Sequence, residues 1–456
     1  MKNKFLKQLF LSCTVTCALT APLSAELLWE QQAEKLPEWV DNQVVYEVNV
    51  RQYSQDSSFK SIERDLNRIS DLGINTLWFM PITPIGEKNR KGELGSYYSV
   101  KDYMGVNPEF GTPEDFKSLV KQAHMRGMKV IIDWVGNHSA CDNPLTIEHP
   151  EYYVKNDEGN FIPPIGTDWT DVIQFDFSKP GLLEYQTQAM TYWIQEFGVD
   201  GFRCDFALGV PTEFWNELSS NLRKVKPDLF MLAEADVANH QLKAFNASYG
   251  WQLLHAFAAI AQGEHDANYL DVVLSRQSLT YPKDSNFLLM TSNHDMNSWE
   301  GTVYERLGGG AKVFAVLAMT MKGIPLVYNG QEAGLDKRLE FFIKDPIQWN
   351  KTSPMEKFYK TLIHLKTKNP SLEATASFNR VPTTDDASIY AYTRGKAEKG
   401  QILVIANLKA HDMEFEIGTD VIKGDWTDVF TGKKIHLSGS EELKLNMWNY
   451  LVLERK

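Results

Sequence analysis

The chain has 456 residues, of which 43% are apolar and 23% charged, and its formal net charge is −12. This length suits one large domain or two or three ordinary ones, and the composition excludes a disordered or fibrous chain. The acidic balance argues against a nucleic-acid-binding protein, which would need a basic face.

The first 25 residues have the build of a secretory signal peptide. Lys2, Lys4 and Lys7 give a positive start, and residues 9–19 form a short apolar stretch. The small residues Ser24 and Ala25 follow, which predicts cleavage after Ala25. No later stretch approaches 18 unbroken apolar residues, so we expect no membrane span and a chain that is secreted or periplasmic.

Two cysteines, Cys141 and Cys204, remain after the predicted signal. Two in a chain of this length do not make a disulfide scaffold. Export would permit a bond between them, but the sequence does not place them within bonding distance. We therefore expect two free or buried thiols.

A recurring unit, an amphipathic helix followed by Gly and a short apolar run, organises most of the chain. Gly supplies the left-handed conformation that ends many helices. The predicted helices cover residues 58–72, begin at 112, and cover 181–197 and 311–321. Further strands are predicted at residues 44–50, 230–233 and 287–291, with residues 249–258 a candidate for the missing one. Helices alternating with continuously apolar strands predict an α/β fold, and eight such units favour a (β/α)8 TIM barrel over an open sheet.

Three segments follow from this reading. Residues 26–376 are predicted to form the catalytic barrel, with residues 139–175 as a short inserted domain after strand three. From residue 377 the sequence changes to short alternating runs broken by Gly and Asp. That texture predicts a C-terminal antiparallel β-sandwich domain over residues 377–456.

Polar residues follow the predicted barrel strands, where the functional groups of this fold stand. They are Asp133, Asn137, His138, Arg203, Asp205, Glu234, His294, Asp295 and Glu332. Carboxylates without a metal can cleave glycosidic bonds, whereas histidines and carboxylates with a metal can activate water. The chain has neither His-x-His nor His-Glu-x-x-His, so the spacing favours the metal-free route.

Seven separated stretches, in order, resemble glycoside hydrolase family 13, the α-amylase family. Four carry the rim residues: residues 133–138 (DWVGNH), 201–205 (GFRCD), 233–234 (AE) and 292–295 (SNHD). Three support them: residues 73–81 (GINTLWFMP), 98–103 (YSVKDY) and 323–332 (GIPLVYNGQE). The resemblance covers almost the whole chain after the predicted signal.

The resemblance implies a retaining mechanism and assigns the catalytic roles. Asp205 would be the nucleophile, Glu234 the acid and then the base, and Asp295 would grip sugar hydroxyls in the transition state. Retention implies carboxyl groups about 5–5.5 Å apart. Glu234 must first be protonated, so we expect a raised pKa there.

The same resemblance implies four substrate-binding residues. Arg203 would keep Asp205 ionised, and Tyr98 would stack beneath the sugar ring. His138 and His294 would hydrogen-bond hydroxyls of that ring.

The sequence departs from the family pattern after the nucleophile. Many members have Lys and His at the third and fourth positions after it, where this chain has Leu208 and Gly209, so the acceptor side should be remodelled. The resemblance also leaves calcium open, with Asn137 and the Gly209 carbonyl as available ligands and Asp168 and Asp171 as candidates in the insertion. No organic cofactor is expected.

The resulting hypothesis is an exported α-amylase-type enzyme that hydrolyses internal α-1,4 links of starch, glycogen or maltodextrins. One rival is a cyclomaltodextrinase, α-glucosidase or transglycosylase acting on short maltooligosaccharides. Another is a carbohydrate-binding relative that has lost catalysis. In each case the partner is an α-glucan, with no nucleic acid and no membrane span, and the oligomeric state is left open.

Overall fold

The computed structural model describes residues 27–350, 352–396 and 400–455. The predicted signal, residues 1–25, lies outside the described residues. The ten strands before residue 330 are β1 (Val45–Val48), β2 (Thr76–Phe79), β3 (Lys129–Val135), β4 (His138–Ala140), β5 (Val172–Gln174), β6 (Gly201–Asp205), β7 (Phe230–Ala233), β8 (Ala247–Tyr249), β9 (Phe287–Leu289) and β10 (Ile324–Tyr328).

Eight of these strands close into a parallel barrel. Its order is β1-β2-β3-β6-β7-β8-β9-β10, and β10 pairs back onto β1. The helices of the described chain are α1 (Val50–Tyr53), α2 (Phe59–Leu72), α3 (Pro113–His124), α4 (Leu145–Glu148), α5 (Pro180–Tyr192), α6 (Thr212–Val225), α7 (Trp251–Ala261), α8 (Tyr269–Thr280), α9 (Val303–Leu307), α10 (Ala311–Thr320) and α11 (Pro354–Lys368). The predicted barrel architecture is confirmed.

Local sequence signals account for the ends of the predicted helices. The Thr112 hydroxyl oxygen accepts a hydrogen bond from the Asp115 N–H, and the Asp115 carboxylate accepts one from the Thr112 N–H, so the two residues form a capping box where the sequence predicts the start of a helix. Gly73 ends α2 in a left-handed conformation, with φ +98°. A side chain other than Gly would be strained there, so the helix stops where the sequence places its Gly.

The sixth barrel strand differs from the prediction. Residues 249–258 were the candidate, but β8 ends at Tyr249 and α7 covers Trp251–Ala261. This eleven-residue segment, apolar except for Gln252 and His255, has the length of a helix, and a short mostly apolar segment alone does not distinguish helix from strand. Gly250 separates the two elements.

The barrel interior is apolar at its base and polar towards the carboxyl ends of its strands. Val45, Trp78, Ile131, Phe230 and Leu232 are among the buried side chains of the interior cluster. Alternate residues of a strand share a face, and on two of these strands the next residue on the interior face is polar. Glu47 follows Val45 and Asp133 follows Ile131 in this way. The site therefore begins within the barrel.

The insertion contains β4 and β5, which pair antiparallel with His138 opposite Gln174. This pairing folds the excursion back over the rim next to β3. His138 is thus held on a paired strand, and its residue is 2% exposed.

The C-terminal strands are β11 (Phe378–Val381), β12 (Ile389–Gly395), β13 (Gln401–Asn407), β14 (Met413–Gly418), β15 (Gly424–Asp428), β16 (Lys434–Leu437), β17 (Ser440–Leu445) and β18 (Tyr450–Arg455). Six form an antiparallel sheet in the order β11-β12-β13-β18-β15-β16, and β14 pairs with β17. Ile389, Leu403 and Trp426 of the larger sheet share one buried cluster with Phe415 and Leu445 of the smaller pair. This is the expected β-sandwich.

Cys141 and Cys204 are both free thiols, as expected, and Cys204 is buried. Among the helices that the structure describes, none is long and apolar enough to cross a membrane.

Candidate active site

Arg203 organises the candidate site from inside the barrel. It lies on β6, two residues before Asp205, so both side chains face the interior. Its Nη1 lies 3.1 Å from Asp205 Oδ1 and 2.9 Å from Asp133 Oδ1, and its Nη2 lies 2.8 Å from Glu234 Oε1. Nε donates to the Tyr249 hydroxyl at 3.0 Å. One fully buried guanidinium thus holds three carboxylates together.

Glu234 is fixed through both of its oxygens. Oε2 accepts the Phe206 backbone N–H at 2.8 Å, while Oε1 faces Arg203. Phe206 has φ +41°, a left-handed conformation that is uncommon for an aromatic residue. This conformation turns the N–H next to Asp205 towards Glu234, so the turn after the nucleophile also positions the second carboxylate.

The sequence predicts a raised pKa for Glu234, and this stays a prediction. The structure gives a raised pKa to Asp205, the carboxylate that Arg203 is expected to keep ionised, so Arg203 does not outweigh the opposing effects there. Burial and the neighbouring Glu234 charge raise the pKa of Asp205 well above its usual value, against the opposing effect of Arg203. Burial also raises the pKa of Asp133 to about 6, although Arg203 and His294 act to lower it. The cluster holds more carboxylates than Arg203 alone neutralises, so a proton is easily retained between them.

His294 and Asp295 form the opposite side of the cluster. Tyr98 Oη lies 2.7 Å from His294 Nε2, and the Asp295 carboxylate lies 3.2 Å from the same nitrogen. His294 Nδ1 contacts the carboxylate of Glu47, which is 0% exposed. Burial acts to lower the pKa of His294, but Asp295 and Glu47 outweigh it and raise that pKa well above its usual value.

The charged His294 ring in turn lowers the pKa of Asp295. Burial acts to raise the pKa of Asp295, but the charge of His294, its hydrogen bond and Arg203 lower it below the usual value. Trp299, on the π-helical turn Met296–Glu300, also acts to lower the pKa of Asp295. Asp295 is therefore held ionised at the rim.

His138 has the opposite electrostatics from His294. Burial lowers the pKa of His138 to about 4, so its ring is neutral. Its Nδ1 lies 3.3 Å from the Asn137 amide nitrogen, and the Trp169 ring packs edge-on at 5.5 Å. A neutral imidazole there can accept or donate a hydrogen bond to a sugar hydroxyl without adding charge.

Glu332 lies outside this cluster. It accepts a hydrogen bond from the Tyr46 hydroxyl and pairs with Arg68 at 3.1 Å, between the barrel wall and α2. Tyr46 alternates with the inward-facing Val45 and Glu47 on β1, so Glu332 lies behind the strands. The other predicted rim residues lie at the strand ends as a group.

The calcium ligands suggested by the sequence lie in two different surroundings. Asn137 Oδ1 is buried without a hydrogen-bond partner among the described residues, close to Gly209. The Asp171 carboxylate, however, lies 3.6 Å from Lys91 Nζ, and the same ammonium donates to the Asp168 carbonyl at 3.1 Å. Across the described ranges, no group of three or more His, Cys, Asp or Glu side chains could hold a metal. Calcium also accepts amide and backbone carbonyl oxygens, so calcium binding at Asn137 beside Gly209 stays a prediction, while Lys91 already pairs with Asp171.

Four residues of the site did not emerge from the sequence: Glu47, Tyr249, Phe206 and Trp169. Glu47 carried a signal, because it is an acid inside an otherwise apolar strand and shares a face with Val45. Phe206 and Trp169 approach each other at 5.1 Å beside the acceptor-side residues Leu208 and Gly209. Their contact depends on how the insertion folds over the rim, which local sequence does not encode.

Comparison with known proteins places this architecture in one family. The family model described as the alpha amylase catalytic domain matches residues 52–168 and 166–376, and the model of the alpha amylase C-terminal all-beta domain matches residues 383–449. A maltogenic alpha-amylase structure from Thermotoga neapolitana is 30% identical, with a TM-score of 0.83 over 91% of this chain and 99% of that chain. An alpha-amylase structure from Lactobacillus plantarum is also 30% identical, with a TM-score of 0.81 over 92% of this chain and 100% of that chain.

A curated relative, alpha-amylase MalA of Haloarcula japonica, is 26% identical over 413 residues. The alignment covers 86% of this chain, which spans 59% of that relative's length. Since the catalytic family model covers most of the barrel and the sandwich has its own match, the chain belongs to glycoside hydrolase family 13, the α-amylase family.

Proposed function

We propose that the chain hydrolyses α-1,4-glucosidic bonds of α-glucans with retention of configuration. The observation that carries this proposal is the shared guanidinium of Arg203, which contacts Asp205 and Glu234 at 3.1 and 2.8 Å. Retaining glycosidases need two carboxyl groups close together on either side of the scissile bond. His294 and Asp295 then supply contacts to the hydroxyls of the distorted ring.

The reaction proceeds in two displacements. Asp205 attacks the anomeric carbon while Glu234 gives its proton to the departing glycosidic oxygen, so a glycosyl ester forms and the C–O bond breaks. Glu234 then removes a proton from water, which attacks the same carbon and releases Asp205. Both Glu234 oxygens accept contacts in the free chain, so one of these must be given up when the acid carries its proton.

Short maltooligosaccharides are the substrates that the geometry supports best. Leu208 is 54% exposed next to the nucleophile turn, and Trp169 and Phe206 line the same side with aromatic surface. Apolar groups there favour stacking on a sugar face over hydrogen bonding along a long chain. Relatives named maltogenic alpha-amylase, cyclomaltodextrinase and neopullulanase support this choice, while other relatives are named alpha-amylase.

The test separates the acid from the nucleophile. Glu234→Gln should lower kcat on maltotriose by about 100- to 10,000-fold. The same variant should keep rapid glycosylation by α-maltosyl fluoride, because fluoride leaves without a proton. Asp205→Asn, the matched carboxamide control, should lose activity on both maltotriose and α-maltosyl fluoride. Full activity of Glu234→Gln on maltotriose, or release of the β-anomer by the wild type, would refute the proposal.

We also propose that the chain is exported. The support is the sequence of residues 1–25, with its lysines, apolar stretch and small residues before Glu26. N-terminal sequencing of the mature protein from its producing cells should begin at Glu26. An intact Met1 start in the cytoplasm would contradict it.

A further inference from the structure

The direction of a bound glucan follows from the barrel order. Glu234 follows β7 and must face the leaving group, so the acceptor part of the chain extends on that side. In the closed order of eight strands, β1 lies diametrically opposite β7. The loops after β10, β1 and β2 therefore flank the donor side, where the non-reducing part of the glucan lies.

Arg51 ties these three loops together. It follows β1, is fully buried, and forms a two-pronged ion pair with Glu109, with bonds of 2.8 and 3.0 Å. Its Nη1 donates to the carbonyls of Gly95 at 3.0 Å and Phe341 at 3.3 Å, and its Nη2 donates to the Leu94 carbonyl at 3.2 Å. Since Arg51 presents five donors in a rigid fork, it fixes loops from three strands in one arrangement.

The loops also meet directly. The Leu94 N–H donates to the Phe342 carbonyl at 2.9 Å. Gly92 lies so close to Phe342 that a Cβ at Gly92 would come within 2.5 Å of the Phe342 Cβ. The loop after β10 is further bound to the turn after β9, where Ser298 Oγ donates to the Leu339 carbonyl at 2.8 Å. No wide gap separates the loops after β2 and β10 at these contacts.

Three aromatic side chains, Trp299, Phe341 and Phe342, form what we call the donor wall. Their ring centroids are 5.2 Å apart for Trp299 and Phe341, 5.9 Å for Trp299 and Phe342, and 5.1 Å for the two phenylalanines. Phe341 also lies nearly parallel to Tyr98, with centroids 6.4 Å apart. The wall thus begins directly beside the ring proposed to stack under the sugar at the cleavage point.

We propose that the Arg51-braced donor wall ends the substrate groove just beyond the cleavage point, so that the enzyme cuts glucose or maltose from the non-reducing end. This inference rests on the proposed α-1,4-glucan hydrolysis and specifies its mode of attack. A glucan whose non-reducing end is enlarged cannot pass the wall, and an internal bond cannot be reached because the chain would have to continue through it. Discrimination arises from steric exclusion on the donor side.

The test uses two maltoheptaosides that differ only at the non-reducing glucose, which is free in one and capped by an ethylidene group in the other. Wild type should cleave the free substrate at least about tenfold faster than the capped one. Phe342→Ala, which removes a wall ring, should gain cleavage of the capped substrate. Ile343→Ala is the matched control, since its side chain is a neighbour in the same loop and its backbone contact to Gln52 is kept.

The outcomes separate this inference from the proposed function. Equal cleavage of both substrates by wild type would overturn the inference and leave α-glucan hydrolysis standing. Strong discrimination that Phe342→Ala does not relax, in a variant with normal activity on the free substrate, would overturn the role of the wall. No cleavage of either substrate or of maltotriose would overturn the proposed function and this inference together.

Discussion

Glu47 places a carboxylate inside the barrel, directly against the His294 ring. The residue is 0% exposed, and its second oxygen, Oε2, has no hydrogen-bond partner among the described residues. Burial raises the pKa of Glu47, while the His294 charge and hydrogen bond act against it. A carboxylate against Nδ1 fixes the orientation and protonation of an imidazole, so Glu47 is a positioning residue for the ring that touches Asp295.

Glu47→Gln should therefore move the pH profile. Because the pKa of His294 is raised, its ring stays charged as the pH increases, until the pH exceeds that pKa. Removing the Glu47 charge lowers this limit, and the alkaline limb of kcat/KM should shift to lower pH by about one unit or more. Asp295, Asp133 and Tyr98 also interact with His294, Arg203 interacts with Glu47, and the substitution changes none of these four residues.

The control for this variant is Tyr46→Phe, on the outward face of the same strand, which removes the hydroxyl contact to Glu332. Its alkaline limb should not move. The pH profile of kcat/KM and the imidazole resonances in NMR measure the effect. An unshifted limb in Glu47→Gln, with a normal fold, would show that Glu47 only fills space.

At the residue scale the sequence predicts groups better than it predicts their partners. Asp205, Glu234 and Asp295 stand out because each lies at or after the carboxyl end of a barrel strand, within a stretch that resembles the family. The link from Glu47 to His294 joins residues 247 positions apart, so it exists only once the barrel closes. Phe206 could not be foreseen, because its left-handed backbone arises from the turn that packs against Glu234.

At the scale of elements, Gly201 allows β6 to pair closely with β7. A Cβ at this position would lie 2.2 Å from the Phe230 carbonyl oxygen, so the backbone itself occupies the space. Because β6 carries both Arg203 and Asp205, this close pairing sets the depth of the two side chains in the barrel.

Gly201→Ala should lower the free energy of unfolding by about 1–3 kcal/mol, as overpacking does where the neighbour is backbone. Gly418→Ala is the matched control, because it also lies on a strand but a Cβ there meets nothing within 4 Å. It should change stability by less than about 0.5 kcal/mol. Urea unfolding followed by circular dichroism measures both, and equal stability of the two variants would contradict the close-pairing argument.

Helices were easier to predict than strand β8. The ends of α2 and α3 are encoded by Ser58, Gly73 and the Thr112–Asp115 box, all local signals. Strand β8 has three residues and is followed by a largely apolar helix. Three residues are too few to show the alternation of apolar and polar side chains that identifies a strand. Its place in the barrel is decided by pairing with β7 and β9, which is not local information.

At the scale of the whole molecule, the barrel and the sandwich were predictable because each has its own sequence pattern. Helices alternate with apolar strands in the barrel, and short strands separated by Gly and Asp make up the sandwich. The way loops from different strands meet was not predictable. Arg51 and Phe341 are 290 residues apart, yet they close the same side of the cleft. Contacts of this kind are not encoded locally, so the sequence left hydrolysis of internal links of α-glucans and action on short maltooligosaccharides as alternatives.

The same long-range assembly bears on calcium. Lys91, from the loop after β2, bridges the insertion at the Asp168 carbonyl and the Asp171 carboxylate. An ammonium group therefore provides positive charge between loop and insertion, where the sequence had suggested calcium ligands. This pair is partly exposed on the lysine side, so its own contribution to stability is modest, about 1 kcal/mol or less.

Exhaustive dialysis against EDTA should consequently leave both kcat/KM on maltotriose and the unfolding temperature unchanged. A protein whose loops needed bound calcium would lose stability on chelation, because a ligand that binds the folded state stabilises it by mass action. Differential scanning calorimetry before and after dialysis, and again after adding calcium chloride, makes the comparison. A fall in unfolding temperature that calcium restores would show that Asn137 and oxygen atoms near Gly209 do bind the ion, and that the Lys91 bridge does not take its place.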